Sequence, residues 1–284
     1  MKILVIGGSG FIGSHVVDAL TSNNHEVIIL DLKKSPWLKR KQKFVRGNIL
    51  NYNLLCKHMK GIDVVFNFAA LADIDIARYK PIQTAQINIV GSLNVFKASI
   101  KSRVKKVIHA STIYVDSNEG SFYSISKRCA EDYLTEFSKS YKLNYTILRF
   151  GSLYGERSDS NNGIRRIIEN IIKRKRLIYR GSNKAARKYI YVKDAANLCV
   201  TSINKRYDRK CLTITGKKVL KIIDIFKHLK KELKIKKKFD FLNEKNTSHY
   251  NIKPSPYKKI VSKSLFTKNE TSFYKKVLQL INKR

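Results

Sequence analysis

Several features that would indicate a membrane, secreted or metal-binding protein are missing from this chain of 284 residues. No stretch approaches the ~20 consecutive apolar residues that a membrane-spanning helix requires. The apolar run after Lys2 soon ends at glycines and lacks a cleavage site, so we expect a cytoplasmic protein rather than a secreted one. The cysteines form no C-x-x-C pair and have no histidines at metal-ligand spacing, which predicts reduced thiols and no metal site. They are Cys56, Cys129, Cys199 and Cys211.

Acidic residues are scarce. The chain has 21 of them against 58 lysines and arginines, which gives a formal net charge of +37. Such an excess suits a polyanionic partner such as RNA or an acidic surface. However, the two densest basic runs, at 165–176 and 230–238, lack the interleaved aromatic residues that a single-strand binding platform uses. We therefore expect a solvated basic face that helps to attract an anionic substrate, and nucleic-acid binding is the less favoured interpretation.

Three glycines at a spacing of three residues, Gly7, Gly10 and Gly13, follow the first apolar run and precede an amphipathic stretch. Glycines in this context allow a tight turn and bring the backbone close to a pyrophosphate, which the helix N-terminus attracts. The second apolar run ends in Asp31, which can accept hydrogen bonds from the adenosine ribose hydroxyls and repel a 2′-phosphate. The sequence therefore predicts NAD, while the two lysines that follow Asp31 leave NADP open.

Apolar runs that fit buried parallel strands alternate with helical patterns over the first 150 residues. The predicted strands are Ile3–Ile6, Val27–Leu30, Ile62–Phe68, Val104–His109, Tyr145–Leu148 and, later, Tyr189–Val192. The predicted helices are Phe11–Ser22, Leu54–Met59, Ile82–Ser99, Tyr123–Tyr141, Ile164–Ile172, Lys193–Ile203, Ile222–Leu233 and Glu270–Asn282. This order predicts an α/β protein with a doubly wound parallel sheet of the Rossmann type. Residues 1–150, with 187–204 returning to them, are predicted to bind NAD, and residues 151–186 and 205–284 to form a smaller substrate lobe over the cleft.

A second motif carries the chemistry. Tyr123 and Lys127 are four residues apart, so on a helix they share one face, and Thr112 stands at the end of the preceding predicted strand. We expect the ammonium and a nicotinamide charge to lower the phenol pKa, so that a tyrosinate acts as the base near neutral pH. Thr112 would hydrogen-bond the reacting oxygen.

With these motifs in place, the chain resembles the extended short-chain dehydrogenases/reductases of the nucleotide-sugar epimerase and dehydratase family. The matching segments are 66–70 (FNFAA), 88–94 (NIVGSLN), 148–155 (LRFGSLYG) and 187–196 (RKYIYVKDAA). The resemblance implies that Ala69 and Ala70 lie against the cofactor, that Asn88 supports the site, and that Arg187 contacts the diphosphate of a nucleotide sugar. The full set of predicted cofactor contacts is Gly7, Gly10, Phe11, Ile12, Gly13, Asp31, Asn48, Ile49, Ala69, Ala70, Asn88 and Lys127, and the predicted substrate contacts are Ser152, Asn162 and Arg187. The resemblance also implies a homodimer that pairs the helices at 82–99 and 123–141.

Departures from the family pattern favour one reaction. Dehydratases of this family follow the threonine with an Asp-Glu pair, since loss of water needs an acid and a base, but here Ile113 and Tyr114 follow Thr112. The usual Val-Tyr-Gly appears as Val-Asp-Ser at 115–117, and Asn48 stands where many members carry an aspartate. We therefore predict NAD-dependent epimerisation of a nucleotide sugar through a transient ketone. The alternatives are a keto-sugar reductase using NAD(P)H and, outside enzymes, a non-catalytic protein that binds RNA or an acidic partner.

Overall fold

A computed structural model describes residues 1–117, 119–242 and 260–282. Within these ranges the strands are β1 Lys2–Ile6, β2 Glu26–Asp31, β3 Gln42–Arg46, β4 Val64–Asn67, β5 Lys106–Thr112, β6 Tyr145–Phe150, β7 Ser152–Tyr154, β8 Ile178–Tyr179, β9 Ala186–Arg187, β10 Tyr189–Tyr191, β11 Lys210–Ile214, β12 Leu220–Lys221, β13 Asp240–Phe241 and β14 Ser262–Leu265. The α-helices are α1 Phe11–Ser22, α2 Tyr52–Met59, α3 Ile74–Tyr79, α4 Pro81–Ala85, α5 Gly91–Lys101, α6 Ser121–Tyr141, α7 Gly163–Arg174, α8 Val192–Thr201, α9 Ile222–Glu232 and α10 Phe273–Asn282. A π-helical turn occupies Gln86–Val90, and 3₁₀ turns occupy Ile113–Asp116 and Lys205–Tyr207.

Eight strands form the central sheet in the order β14-β11-β6-β5-β4-β1-β2-β3, and each neighbouring pair is parallel. Alternate residues of β1 point to opposite faces, as the strand period of two requires. Ile3 and Val5 belong to a core with residues of α1 and α8, whereas Leu4 and Ile6 belong to a core with residues of α2, α5 and α6. The predicted doubly wound α/β fold is confirmed.

The smaller lobe has its own core. Helices α7, α9 and α10 contribute apolar residues to it, and the aromatic rings of Tyr154 and Phe273 lie 4.8 Å apart at its centre. Two-stranded sheets β7–β10, β9–β12 and β8–β13 connect this lobe to the carboxyl ends of the central strands. The lobe therefore stands at the edge of the sheet where ligands of such folds bind.

Most predicted elements are present, but several bounds differ and several elements were not predicted, among them β3, α3 and α4. The predicted helix Ile82–Ser99 is divided by the π-helical turn, and the predicted helix from Glu270 begins only at Phe273. Strands β11 and β14 were not predicted, and they lie within residues 205–284, all of which the sequence assigned to the substrate lobe. That assignment is corrected, because this part of the chain also supplies two strands of the central sheet.

Two further findings concern what the described residues do not form. None of the helices in residues 1–117, 119–242 and 260–282 has the length and apolar character needed to cross a membrane. Across the same residues, no cluster of three or more His, Cys, Asp or Glu side chains is placed to hold a metal ion.

Candidate active site

The glycine loop joins β1 to α1 with very little room. Gly7 has a φ of +78°, and a Cβ there would lie 2.5 Å from the Ala69 nitrogen. A Cβ on Gly13 would lie 2.2 Å from the Gly7 carbonyl oxygen, so α1 approaches the loop as closely as its backbone permits. A Cβ on Gly10 meets only the Gly7 oxygen, at 3.4 Å. Steric crowding thus requires glycine at positions 7 and 13, whereas Gly10 leaves open space above the loop.

The N-terminus of α1 has its first backbone N–H groups available for an anion. Its N-cap residue is Gly10, and no side chain of the described chain caps this end. Phe11 and Ile12 form the first turn and line the cleft. Free N–H groups and the helix dipole together suit a pyrophosphate, so these residues fit the NAD that the sequence predicts.

The predicted ribose contact lies beside the same loop. One carboxylate oxygen of Asp31 accepts a hydrogen bond from the Ser9 N–H at 3.0 Å, and the other accepts from the Lys33 N–H at 3.4 Å. Asn48 and Ile49 behave differently from the prediction, because neither lines the cleft. The side-chain oxygen of Asn48 accepts from the Leu50 N–H at 2.9 Å, and Ile49 is only 6% exposed in the core. A cofactor contact by these two side chains stays a prediction that their positions do not support.

Asn88 is a buried support rather than a cleft residue. Its side-chain oxygen accepts from the Leu71 N–H at 2.8 Å, and its nitrogen donates to the Leu71 oxygen at 3.1 Å and to Ser126 Oγ at 2.9 Å. It therefore joins the segment after β4, which includes Ala69 and Ala70, to the helix α6 that carries the catalytic pair.

A cleft of about 1590 Å³ lies between the sheet and the smaller lobe. Twelve predicted site residues line it: Gly7, Gly10, Phe11, Ile12, Gly13, Ala70, Thr112, Tyr123, Lys127, Ser152, Asn162 and Arg187. The structure thus brings the glycine loop, the predicted base and the predicted diphosphate ligand into one space.

Thr112, Tyr123 and Lys127 all line this cleft. Thr112 ends β5, and its Oγ accepts a hydrogen bond from the Tyr114 N–H at 3.3 Å, so its own hydroxyl proton can be donated to a ligand. Burial lowers the pKa of Lys127 to about 8, against the opposing effect of the Glu131 carboxylate. Burial, and to a smaller extent Tyr114, raises the pKa of Tyr123. A lowering of this phenol pKa by Lys127 together with a nicotinamide charge stays a prediction.

Arg187 of β9 is surrounded by phenols. Its Nη1 donates to the Tyr114 hydroxyl at 3.4 Å, while its Nε is buried and makes no hydrogen bond among the described residues. The pKa of this guanidinium is raised by the nearby phenols Tyr114, Tyr189 and Tyr179, which outweigh the lowering effect of burial. Arg187 is a half-buried cation that lines the cleft, so it is suited to a bound anion such as a phosphate.

Asn162 lines the cleft and is also the N-cap of α7. Its side-chain oxygen accepts from the Ile164 and Arg165 N–H groups at 3.1 and 3.2 Å, and its nitrogen donates to the Leu153 oxygen at 2.8 Å, which leaves one amide N–H for a ligand. Ser152, in β7, lies in the cleft wall. Substrate contacts by these two residues stay predictions.

The cleft also contains residues that the sequence did not suggest. Pairing of β8 with β13 places Tyr179 and Phe241 in its wall. The first of the two dense basic runs contributes Lys173, Arg174 and Arg176 to the lining, a part that we call the cleft mouth, and Arg176 pairs with Asp240 at 2.7 Å. Tyr114 could have been predicted as a cleft residue, because it lies two positions after Thr112. The pairing of β8 with β13 could not have been predicted, because strands of two residues have no recognisable sequence pattern.

Comparisons with known proteins agree with this site. Residues 3–211 match the NAD dependent epimerase/dehydratase family. A provisionally named UDP-glucose 4-epimerase of Methanocaldococcus jannaschii is 33% identical over 250 residues, which cover 80% of this chain and 81% of that protein. The human dTDP-D-glucose 4,6-dehydratase is 25% identical over 280 residues, covering 87% of this chain and 80% of that protein. Thermotoga maritima UDP-glucose 4-epimerase, solved with UDP-glucose, has a TM-score of 0.83 at 28% identity and covers 99% of this chain and 98% of its own.

The matched region contains the glycine loop, the tyrosine and lysine pair and Arg187, all of which line one cleft. The chain therefore belongs to the NAD-dependent epimerase/dehydratase family, whose cofactor is NAD.

Proposed function

We propose that this protein epimerises the sugar of a nucleoside-diphosphate sugar through a transient ketone. The observation that carries the proposal is one cleft lined by Thr112, Tyr123 and Lys127 together with the glycine loop and Arg187. This set of groups suits a ligand with its sugar at the catalytic groups and its diphosphate at Arg187. UDP-glucose is bound by the Thermotoga maritima relative, which supports this class of substrate.

Each catalytic residue has one task in this mechanism. Tyr123 removes the proton of a sugar hydroxyl as base, and Thr112 donates a hydrogen bond to the same oxygen. Lys127 holds a positive charge below the phenolate at neutral pH, because its pKa of about 8 keeps it largely protonated there. Bound NAD supplies the acceptor for the hydride that leaves the sugar carbon, and after the ketone has turned over in the cleft the hydride returns to its opposite face. Tyr123 then gives its proton back to the oxygen.

Loss of water is not supported by the groups next to Thr112. Tyr114 is half-buried, and burial raises the pKa of its phenol, although Arg187 opposes this effect. A neutral phenol and the apolar Ile113 cannot provide the acid and base that elimination needs. Epimerisation requires only the groups that the cleft contains.

The basic cleft mouth supports an anionic substrate. Lys173 and Arg174 lie at the end of α7 and line the cleft. Cations around a concave site concentrate small anions and raise their rate of association. We propose that these residues help to capture the substrate.

We infer a homodimer formed by the helices between residues 74 and 141. Large apolar side chains are exposed along them, including Tyr79 at 78%, Ile82 at 75% and Ile125 at 51%. Exposed apolar patches of this kind mark interaction surfaces in soluble proteins. Sedimentation of the purified protein tests this, and a monomer at micromolar concentration contradicts it.

The proposed function is tested with Tyr123→Phe. The variant keeps the ring and loses only the hydroxyl, so turnover of a panel of UDP- and dTDP-sugars should fall by about 10³-fold or more while NAD binding is unchanged. Tyr141→Phe is the matched control, since Tyr141 ends the same helix and is 62% exposed. Normal turnover by Tyr123→Phe contradicts the mechanism.

A second measurement identifies the cofactor that denaturation releases from the purified protein. Stoichiometric NAD agrees with an internally recycled cofactor and with epimerisation. If the protein is purified without bound cofactor and then binds NADPH, this result indicates the keto-sugar reductase.

A further inference from the structure

A set of buried charges lies directly behind the catalytic groups. Arg149 of β6 is 3% exposed, and its guanidinium donates to both oxygens of Asp116 at 2.9 Å and to those of Glu131 at 2.5 to 3.2 Å. Glu131 is 1% exposed and Asp116 is 29% exposed at the side chain. We name Asp116, Glu131 and Arg149 the Arg149 cluster.

Both carboxylates belong to elements that carry catalytic residues. Asp116 ends the 3₁₀ turn that begins directly after Thr112. Glu131 lies one turn after Lys127 on α6, so the two share one helix face. Arg149 lies opposite Ser111 in the pairing of β5 with β6, one residue before the level of Thr112. A single guanidinium therefore connects the threonine segment to the helix of Tyr123 and Lys127.

The charges of the cluster balance only when Lys127 is included. Asp116 and Glu131 supply two negative charges, while Arg149 and Lys127 supply two positive ones. A buried charge without a partner is costly, so each of these groups stabilises the ionised form of its neighbour. Burial raises the pKa of Glu131, and its hydrogen bonds to Arg149 oppose this effect.

The other groups around Lys127 are not negatively charged at neutral pH. From β5, His109 is buried, and its pKa lies well below the usual value because of burial and of Lys127 itself. Tyr123, on the same helix, has a raised pKa. The π-helical turn 86–90, which packs against α6, contains no titratable side chain. Among the described residues, Glu131 is thus the negative group that acts on Lys127.

We propose that Asp116 and Glu131, joined through Arg149, are positioning residues of this active site: Asp116 fixes the segment that carries Thr112, and Glu131 maintains the positive charge of Lys127. The kinetic part of the inference rests on the proposed function, whereas the part concerning Lys127 does not require a substrate.

The first experiment follows the titration of Lys127 by NMR in protein labelled with ¹³C at the lysine ε-carbon. The signal is assigned by its loss in Lys127→Met. Glu131→Gln, which keeps the shape of the side chain, should move the Lys127 midpoint downwards from about 8 by about 1 unit or more. Asp116→Asn should leave that midpoint in place. An unchanged midpoint in Glu131→Gln overturns the role of Glu131, whether or not any substrate is turned over.

The second experiment measures kcat and KM with UDP-glucose as the probe, together with hydrogen exchange of the amides in 113–117. Asp116→Asn should lower kcat about 10-fold or more with little change in KM, and should speed exchange in this segment. Asp208→Asn is the matched control, because Asp208 is 31% exposed and pairs with Lys106, which is 4% exposed, at the opposite end of β5. The control should lose thermal stability but keep kcat.

The outcomes of the second experiment are separable. Equal kcat and equal exchange in Asp116→Asn and Asp208→Asn overturn the role of Asp116. A protein that does not convert UDP-glucose removes support for that substrate, yet the exchange rates still decide whether Asp116 holds the segment.

Discussion

Alanine substitutions at Gly13 and Gly10 test separately the two roles of the glycine motif, which are the close packing of α1 and the space for a pyrophosphate. In Gly13→Ala the new Cβ would lie 2.2 Å from the Gly7 oxygen and 2.9 Å from the Gly8 Cα, both backbone atoms. The helix must therefore move by about 1 Å to restore van der Waals distances. Because the clash is with backbone atoms, the overpacking cost lies at the upper end of the usual range, about 3 kcal/mol, and alanine returns about 1 kcal/mol of helix propensity. We expect a net loss of about 2 kcal/mol.

Gly10→Ala should give the opposite pattern. Its Cβ meets protein only at 3.4 Å, so the free energy of unfolding should change by less than about 0.5 kcal/mol. The methyl group would, however, occupy the space above the loop that the pyrophosphate needs. Calorimetric titration with NAD should show a Kd raised by about 100-fold or more in this variant, equivalent to about 2.7 kcal/mol.

Thermal melts and NAD titrations of both variants decide between these expectations. A Gly13→Ala protein as stable as the unmodified chain refutes the close approach of α1 to the loop. A Gly10→Ala protein with normal affinity for NAD refutes the placement of the pyrophosphate.

Three further predictions follow from the charged groups. Lys127→Met should abolish turnover. It should also raise the melting temperature at pH 7, because folding lowers the pKa of Lys127 to about 8 and the buried charge therefore costs stability. Between that pKa and the ordinary lysine value the unfolded chain binds more protons than the folded one, so in the unmodified protein this group makes stability rise with pH over that range. Glu156 pairs with Lys276 at 2.8 Å, and its pKa is lowered to about 2. The stability that the ionised Glu156 contributes is therefore present above pH 4.5 and is lost as the pH falls towards 2. Thermal melts of Glu156→Gln at a series of pH values should lack this loss. Raising the salt concentration should lower kcat/KM but not kcat, and replacing Lys173 and Arg174 by glutamine should weaken that dependence; an equal salt effect in the variant contradicts substrate capture by the cleft mouth.

The parts of the fold that depend on local pattern could be predicted from the sequence. Buried parallel strands are short apolar runs, and the glycine and tyrosine motifs are contiguous, so most of the nucleotide-binding half was found with nearly the right bounds, although strand β3 was missed. Strand β14, Ser262–Leu265, has three polar residues and one leucine at the edge of the sheet, so no apolar run marks it. Asn162 could have been recognised as a helix cap, since it directly precedes the first turn of α7.

Long-range polar contacts were not predictable in this way. The three members of the Arg149 cluster come from a turn, a helix and a strand, and nothing local in the sequence pairs them. The raised pKa of Tyr123 in the protein alone was not predictable for a related reason. The sequence shows that a lysine is near, but only the packed structure shows how far the phenol is removed from water.

The order in which the chain is synthesised has a consequence for when this active site can work. Arg149 also donates to the carbonyl oxygen of Ile260 at 3.3 Å, just before β14 completes the edge of the sheet beside β11. A nascent chain can thus assemble the glycine loop and the catalytic residues more than a hundred residues before it supplies this last acceptor. Chains released before residue 260 should therefore bind NAD but hold the segment that follows Thr112 less firmly. Catalytic activity should appear only after the chain beyond residue 260 has been synthesised.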